Sequence, residues 1–140
     1  MNIDFFQSIA LSVANERSVD VVFRNIVDSF ADDPNVVLAR IWIIAPGDLC
    51  HKCPWRESCP DQTKCLHLVA SNGSSLHKER WPTLLKGHYR RFPLFTVEPD
   101  SVTATGKIGY IGGTGKAVFR NDILGNSAWL MDPEWAEREK

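Results

Sequence analysis

CHKCPWRESCPDQTKC, Cys50 to Cys65, holds all four cysteines of the chain, at spacing C-x2-C-x5-C-x5-C. It lies between two apolar runs, VVLARIWII at Val36–Ile44 and LHLVAS at Leu66–Ser71. Both runs are bounded by turn-forming residues: Asp32-Asp33-Pro34-Asn35 and Ala45-Pro46-Gly47-Asp48 around the first, Asn72-Gly73 after the second. The first run is β-branched and aromatic and reads as a strand largely covered on both faces; the second reads as the next strand. Consecutive elements usually neighbour each other, so the two are expected to pair antiparallel. The cysteine segment, residues 45–66, is then an elaborated hairpin connection. Connections of that length without regular structure carry either a function or a staple.

The chemistry of the segment follows from its residue types. Pro54 and Pro60 each directly follow a cysteine. Proline fixes its own φ and drives the preceding residue out of the helical region, so Cys53 and Cys59 sit on irregular backbone where thiols can converge. Soft thiolate clusters select zinc or iron–sulfur centres. Cys50, Cys53, Cys59 and Cys65 are therefore the candidate metal ligands. A structural zinc site favours two C-x2-C-like pairs or Cys/His pairs. Here one C-x2-C knuckle is followed by two single cysteines, with His51 and His67 close enough in sequence to substitute as ligands. An iron–sulfur cluster also takes four thiolates and commonly begins with C-x2-C. The third reading is a loop of reduced thiols or two disulfides. A Cys50–Cys53 bridge would be strained, and a reducing compartment disfavours structural disulfides.

The chain has 140 residues and a net charge of −1, which is the size of one domain without a polyelectrolyte bias toward nucleic acid. Val36–Ile44 is interrupted by Arg40 and is far shorter than a membrane span. MNIDFFQS has an early acid and no basic leader, so no secretory signal is expected and the cytoplasm is the default compartment.

Upstream, Phe5, Ile9 and Val13, with Phe6 beside them, form a helical stripe over Asn2–Asn15 that serves either the chain's own core or a partner. Ser18 is a candidate N-cap and Asp20 suits the first turn of a second helix, ending by Asp33 because Pro34 follows. Downstream, HKERWPTLLKGHYRRF at 77–92 is basic and aromatic, but acidic residues elsewhere cancel its field, so direct nucleic-acid contact is not expected. Phe92-Pro93-Leu94 opens a short ordered element. GYIGGTGK, Gly109–Lys116, does not satisfy the phosphate-loop pattern G-x-x-x-x-G-K-[ST], since Ala117 follows the lysine. It reads instead as a helix over 106–112 ended by Gly113, then a strand over Ala117–Arg120. PEWAEREK, Pro133–Lys140, opens a last helix with proline in its first turn.

These pieces together resemble a GAF domain. The residues carrying the likeness are ARIWIIAPGDLCHKCPWRESCPDQTKCLHLVAS at 39–71, YRRFPL at 89–94, TGKIGYIGGTGKAVFRNDI at 105–123 and DPEWAEREK at 132–140. The particular likeness is to the N-terminal sensory GAF domain of bacterial sigma-54-dependent activators. The cysteine stretch with the following CLHLVAS is its specific part. The resemblance implies an α+β fold: an antiparallel sheet with the terminal helices on one face, spanning 1–140 and lacking the family's last strands. No cyclic-nucleotide signature and no bilin-attachment cysteine is present.

The resemblance implies a non-enzymatic sensor of a redox, gas or small-molecule signal. Its loop would carry an iron–sulfur cluster, it would form a homodimer, and it would address an ATPase or DNA-binding output domain in a full-length protein. The missing strands would leave an exposed sheet edge. A second class is a dimerisation or small-molecule-binding module in which the cysteines are a zinc staple. A third is a thiol redox enzyme using C-x2-C; no acid/base constellation accompanies it, and Asp48, Glu57 and Asp61 read as solvated loop charges. Trp42 reads as core and Trp55 as a shield over a cluster.

Overall fold

The computed structural model describes residues 3–73, 90–96, 106–121, 125 and 133–138. The elements are α1 (Ile3–Ala14), α2 (Val19–Ala31), β1 (Leu38–Pro46), β2 (Lys64–Gly73), β3 (Arg91–Phe92), α3 (Gly106–Thr114) and α4 (Pro133–Arg138). The fold class is α+β, with a three-stranded sheet in the order β1-β2-β3. Of the basic stretch at 77–92, residues 77–89 lie outside the described residues, while Arg91 and Phe92 form β3 and Phe92 is buried, not on a surface loop. The chain divides into two compact units, residues 1–43 with 68–85 and residues 44–67 with 86–140.

In the first unit α1 packs on α2. Phe5 meets Phe30 edge-to-face, with ring centroids 5.4 Å apart. The stripe Phe5–Ile9–Val13 is half-buried. It therefore faces its own unit, and the exposed apolar side chains of α1 are Ile3, Phe6 and Leu11 instead. Ser18 holds the N-cap position of α2 in an extended conformation, but its side chain makes no cap hydrogen bond. The Glu16 carboxylate accepts from Arg17 N and Ser18 N instead. Val27 of α2 is buried, as are Leu68 and Ala70, which alternate along β2. That alternation is what a strand with one core face requires. Asn72 Nδ2 donates to Asp28 Oδ1 at 2.6 Å and ties the strand to α2. Arg40 Nε donates to the buried Ser71 hydroxyl at 3.3 Å, which gives Ser71 a partner. Burial lowers the Arg40 pKa.

β1 and β2 are neighbouring strands as expected, and their ends show them to be antiparallel. Gly47 N donates to Thr63 O at 2.9 Å at one end, and Gly73 lies against the Val37 backbone at the other. Two expectations need correction here. β1 is not covered on both faces, since Ile43 and Ile44 are 36% and 53% exposed; β1 stands at the edge of the order β1-β2-β3. The connection is 47–63, because β2 begins at Lys64 and takes Cys65 into the sheet.

In the second unit β2 pairs antiparallel with β3, Leu66 opposite Phe92 and His67 opposite Arg91. Leu66, Phe92, Leu94 and Ala136 are buried. α3 lies against the chain after β3. A Cβ on Gly109 would collide with the Pro93 carbonyl and the Phe95 ring, and one on Gly113 with the Phe95 backbone. Phe95 N donates to Gly109 O at 3.1 Å. The glycines thus serve close backbone approach. This also corrects the predicted helix end: Gly113 is inside the helix, and Gly115, at φ 69°, follows its last residue in the left-handed region. The strand expected over Ala117–Arg120 is absent. These residues have no regular structure and Phe119 is 82% exposed. No helix among the described residues is long and apolar enough to cross a membrane.

Candidate metal centre

The connection 47–63 is shaped by its own backbone. Turn hydrogen bonds run from Lys52 N to Leu49 O, Arg56 N to Cys53 O and Ser58 N to Trp55 O. The Asp61 carboxylate accepts from Thr63 N at 2.8 Å and Thr63 Oγ1 at 2.6 Å, an Asx-type turn that lowers its pKa. Gln62 Nε2 reaches back to Arg56 O at 3.2 Å. At the neck of the loop a Cβ on Gly47 would come 2.7 Å from Cys50 Sγ and would collide with the Gln62 carbonyl. Only a residue without a side chain lets the chain close there with Cys50 turned inward.

The result brings together all four cysteines. Cys50, Cys53, Cys59 and Cys65 line one small hollow, together with Leu49, Arg56, Asp61, Gln62, Arg91, Phe92 and Pro93. The thiols are free and half-buried. Cys50 Sγ donates to Gln62 O at 3.1 Å, and Cys59 Sγ donates to Asp61 O at 3.2 Å. Three cysteines are held by the loop and the fourth, Cys65, by the strand. Burial pushes the Cys65 thiol up to about 11, with Arg91 opposing and Asp48, Cys50 and Cys53 reinforcing the rise. Burial likewise raises Cys59. Such thiols stay protonated until a metal displaces the proton.

The charged groups beside the hollow form a clasp that the sequence did not announce. Arg91 Nε and Nη2 grip Asp48 Oδ1 and Oδ2 at 2.8 and 2.7 Å, a fork-on-carboxylate pair. The Arg91 hydrogen bond holds the Asp48 carboxyl at about 2, far below its ordinary value. Asp48 is therefore no mere solvated loop charge, as the sequence reading had it. His67, opposite Arg91 on β2, has Nε2 2.9 Å from the Pro46 carbonyl and 3.8 Å from Asp48 Oδ1. Asp48, Cys65 and His67 bring one ligand atom each within 4.8 Å of one another. His51, the other histidine considered, is exposed and outside that group.

Trp55 stacks on Phe92, with centroids 5.6 Å apart and planes at 30°. Its indole N–H is buried with no acceptor. Phe92 itself lines the hollow, so this aromatic pair backs one wall. Chemically the arrangement offers four sulfur donors, two guanidinium groups to offset their charge and an apolar wall. The four cysteines could hold a metal, and Asp48 with His67 adds oxygen and nitrogen donors at the Cys65 side. No protein-family model, curated protein or solved structure matches the chain.

Proposed function

We propose that the chain is a non-enzymatic sensing module of GAF type in which Cys50, Cys53, Cys59 and Cys65 hold an iron–sulfur cluster that reports redox state or a diatomic gas. The observation carrying this reading is that all four thiols of the chain line a single hollow. Four thiolates that begin with one C-x2-C knuckle and have no second such pair are a donor set that a cluster takes. Arg56 and Arg91 offset the negative charge that four thiolates bring, and the Trp55–Phe92 stack limits water on one side; both features tune cluster potentials. The buried Trp55 N–H is a donor for which a cluster sulfur would be a suitable acceptor.

A cluster supplies reversible one-electron chemistry and reactivity toward oxidants. The chain's own part is to fix the loop. Three ligands on 47–63 and one on β2 make loop conformation depend on occupancy, so cluster loss would free the loop from the sheet. The predicted behaviour is that Cys53→Ser or Cys59→Ser removes most of the iron and sulfide bound by anaerobically isolated protein while the helical circular dichroism persists. Retention of full iron in both variants would overturn the ligand assignment.

A further inference from the structure

We propose that Asp48, Cys65 and His67 form a second metal site, for one divalent ion of borderline softness such as zinc, which shares Cys65 with the four-cysteine set and so cannot be filled together with it. The site stands on its own geometry; its exclusivity rests on the cluster reading above. The three donors already lie within 4.8 Å of one another, each from a different backbone position at the junction of loop and sheet. They are one oxygen, one sulfur and one nitrogen, a mixed set suited to zinc and unsuited to a cluster.

A further observation bears on the trio. Metal-binding carboxylates are characteristically oriented by partners behind them. Asp48 is braced by the two-bond fork of Arg91, while its oxygens keep lone pairs for a metal. That brace holds without any ion. His67 Nε2, 3.8 Å from Asp48 Oδ1, is the ring nitrogen facing the trio; it also lies 2.9 Å from the Pro46 carbonyl, a hydrogen bond it would exchange for the metal, the proton moving to Nδ1. On binding, Cys65 Sγ–H gives its proton to solvent as the sulfur–metal bond forms; the other two ligands release none. Three protein donors leave a fourth position for water. Loss of the cluster would thus expose a zinc site that retains Cys65 on β2 while the loop cysteines come free.

The test is an anaerobic titration of the full, metal-free chain with cobalt(II), read by absorption. Wild type is compared with Cys50→Ala/Cys53→Ala/Cys59→Ala and with that triple variant carrying His67→Ala. The expected result is one equivalent of cobalt in the triple variant with a charge-transfer band of single-thiolate intensity. His67→Ala should weaken that binding at least about tenfold, and Arg91→Gln should weaken it by about 10–100-fold. Cobalt binding that is absent from the triple variant, or indifferent to His67, overturns the proposal. Should the triple variant misfold, Cys53→Ala/Cys59→Ala decides: cobalt binding weakened at least about tenfold by adding His67→Ala supports the mixed site, and binding indifferent to His67 overturns it. Iron and sulfide in the wild type as isolated test the cluster reading separately, since the cobalt result does not depend on them.

Discussion

Asp48 and Arg91 show what single residues add to a site that spacing alone outlines. The convergence of the four cysteines was legible in the sequence, because two prolines force the backbone beside Cys53 and Cys59 off helix and no other thiol competes. The clasp was not legible: its partners are 43 positions apart, and only the β2–β3 pairing brings Arg91 across from His67 and onto Asp48. It has a pH signature in the metal-free chain. Its folded carboxyl, at about 2, lies below the ordinary value of 3.8. The pair's contribution is therefore present above about pH 4 and is lost as pH falls through the folded value. Asp48 is 45% exposed in its side chain, so solvent screening keeps that contribution at or below about 1 kcal/mol. A carbon-detected NMR titration should find Asp48 titrating near 2 in wild type and closer to its ordinary range in Arg91→Gln. Identical titrations in the two proteins would mean that the fork does not hold in solution.

Among the elements, the strand pair was readable because β-branched runs between turn residues leave little choice, and a hairpin-like connection fixes their neighbourhood. Their limits were less so. Cys65 lies in β2 and not in the loop, since ladder hydrogen bonds rather than apolar character decide where a strand begins. The glycines of 106–115 misled more: Gly113 was read as a helix stop but serves contact with Phe95, and Gly115 takes the left-handed position. The segment 117–120 has strand-like residues and, among the described residues, no strand beside it. The packing of α3 predicts a cost for added bulk. Gly109→Ala forces a Cβ into the Pro93 carbonyl and the Phe95 ring. Overpacking of that kind should destabilise by about 1–3 kcal/mol, read as a lowered denaturant midpoint at unchanged slope. Gly115→Ala meets no atom within 4 Å and tests only the left-handed backbone, with an expected loss of about 1 kcal/mol. A Gly109 variant as stable as wild type would contradict the close contact of α3 with residues 93–95.

For the whole molecule, the α+β class is established, while the GAF likeness, the sensory role and the dimer are proposals that rest on the cysteine loop and on exposed apolar surface. Ile3, Phe6, Leu11 and Ile44 are 72%, 53%, 67% and 53% exposed. Self-association is the expected consequence. Sedimentation should show a concentration-dependent dimer that Phe6→Ser weakens, and a monomer at every concentration would contradict the dimer proposal. The central claim, that one four-cysteine hollow holds an iron–sulfur cluster, has a more direct test: iron, acid-labile sulfide and zinc counted in anaerobically isolated protein, with its visible spectrum before and after air. The account predicts iron and sulfide in similar amounts and a broad visible absorption that bleaches in air. Iron below about a tenth of an equivalent, with a full equivalent of zinc or with no metal at all, would contradict it.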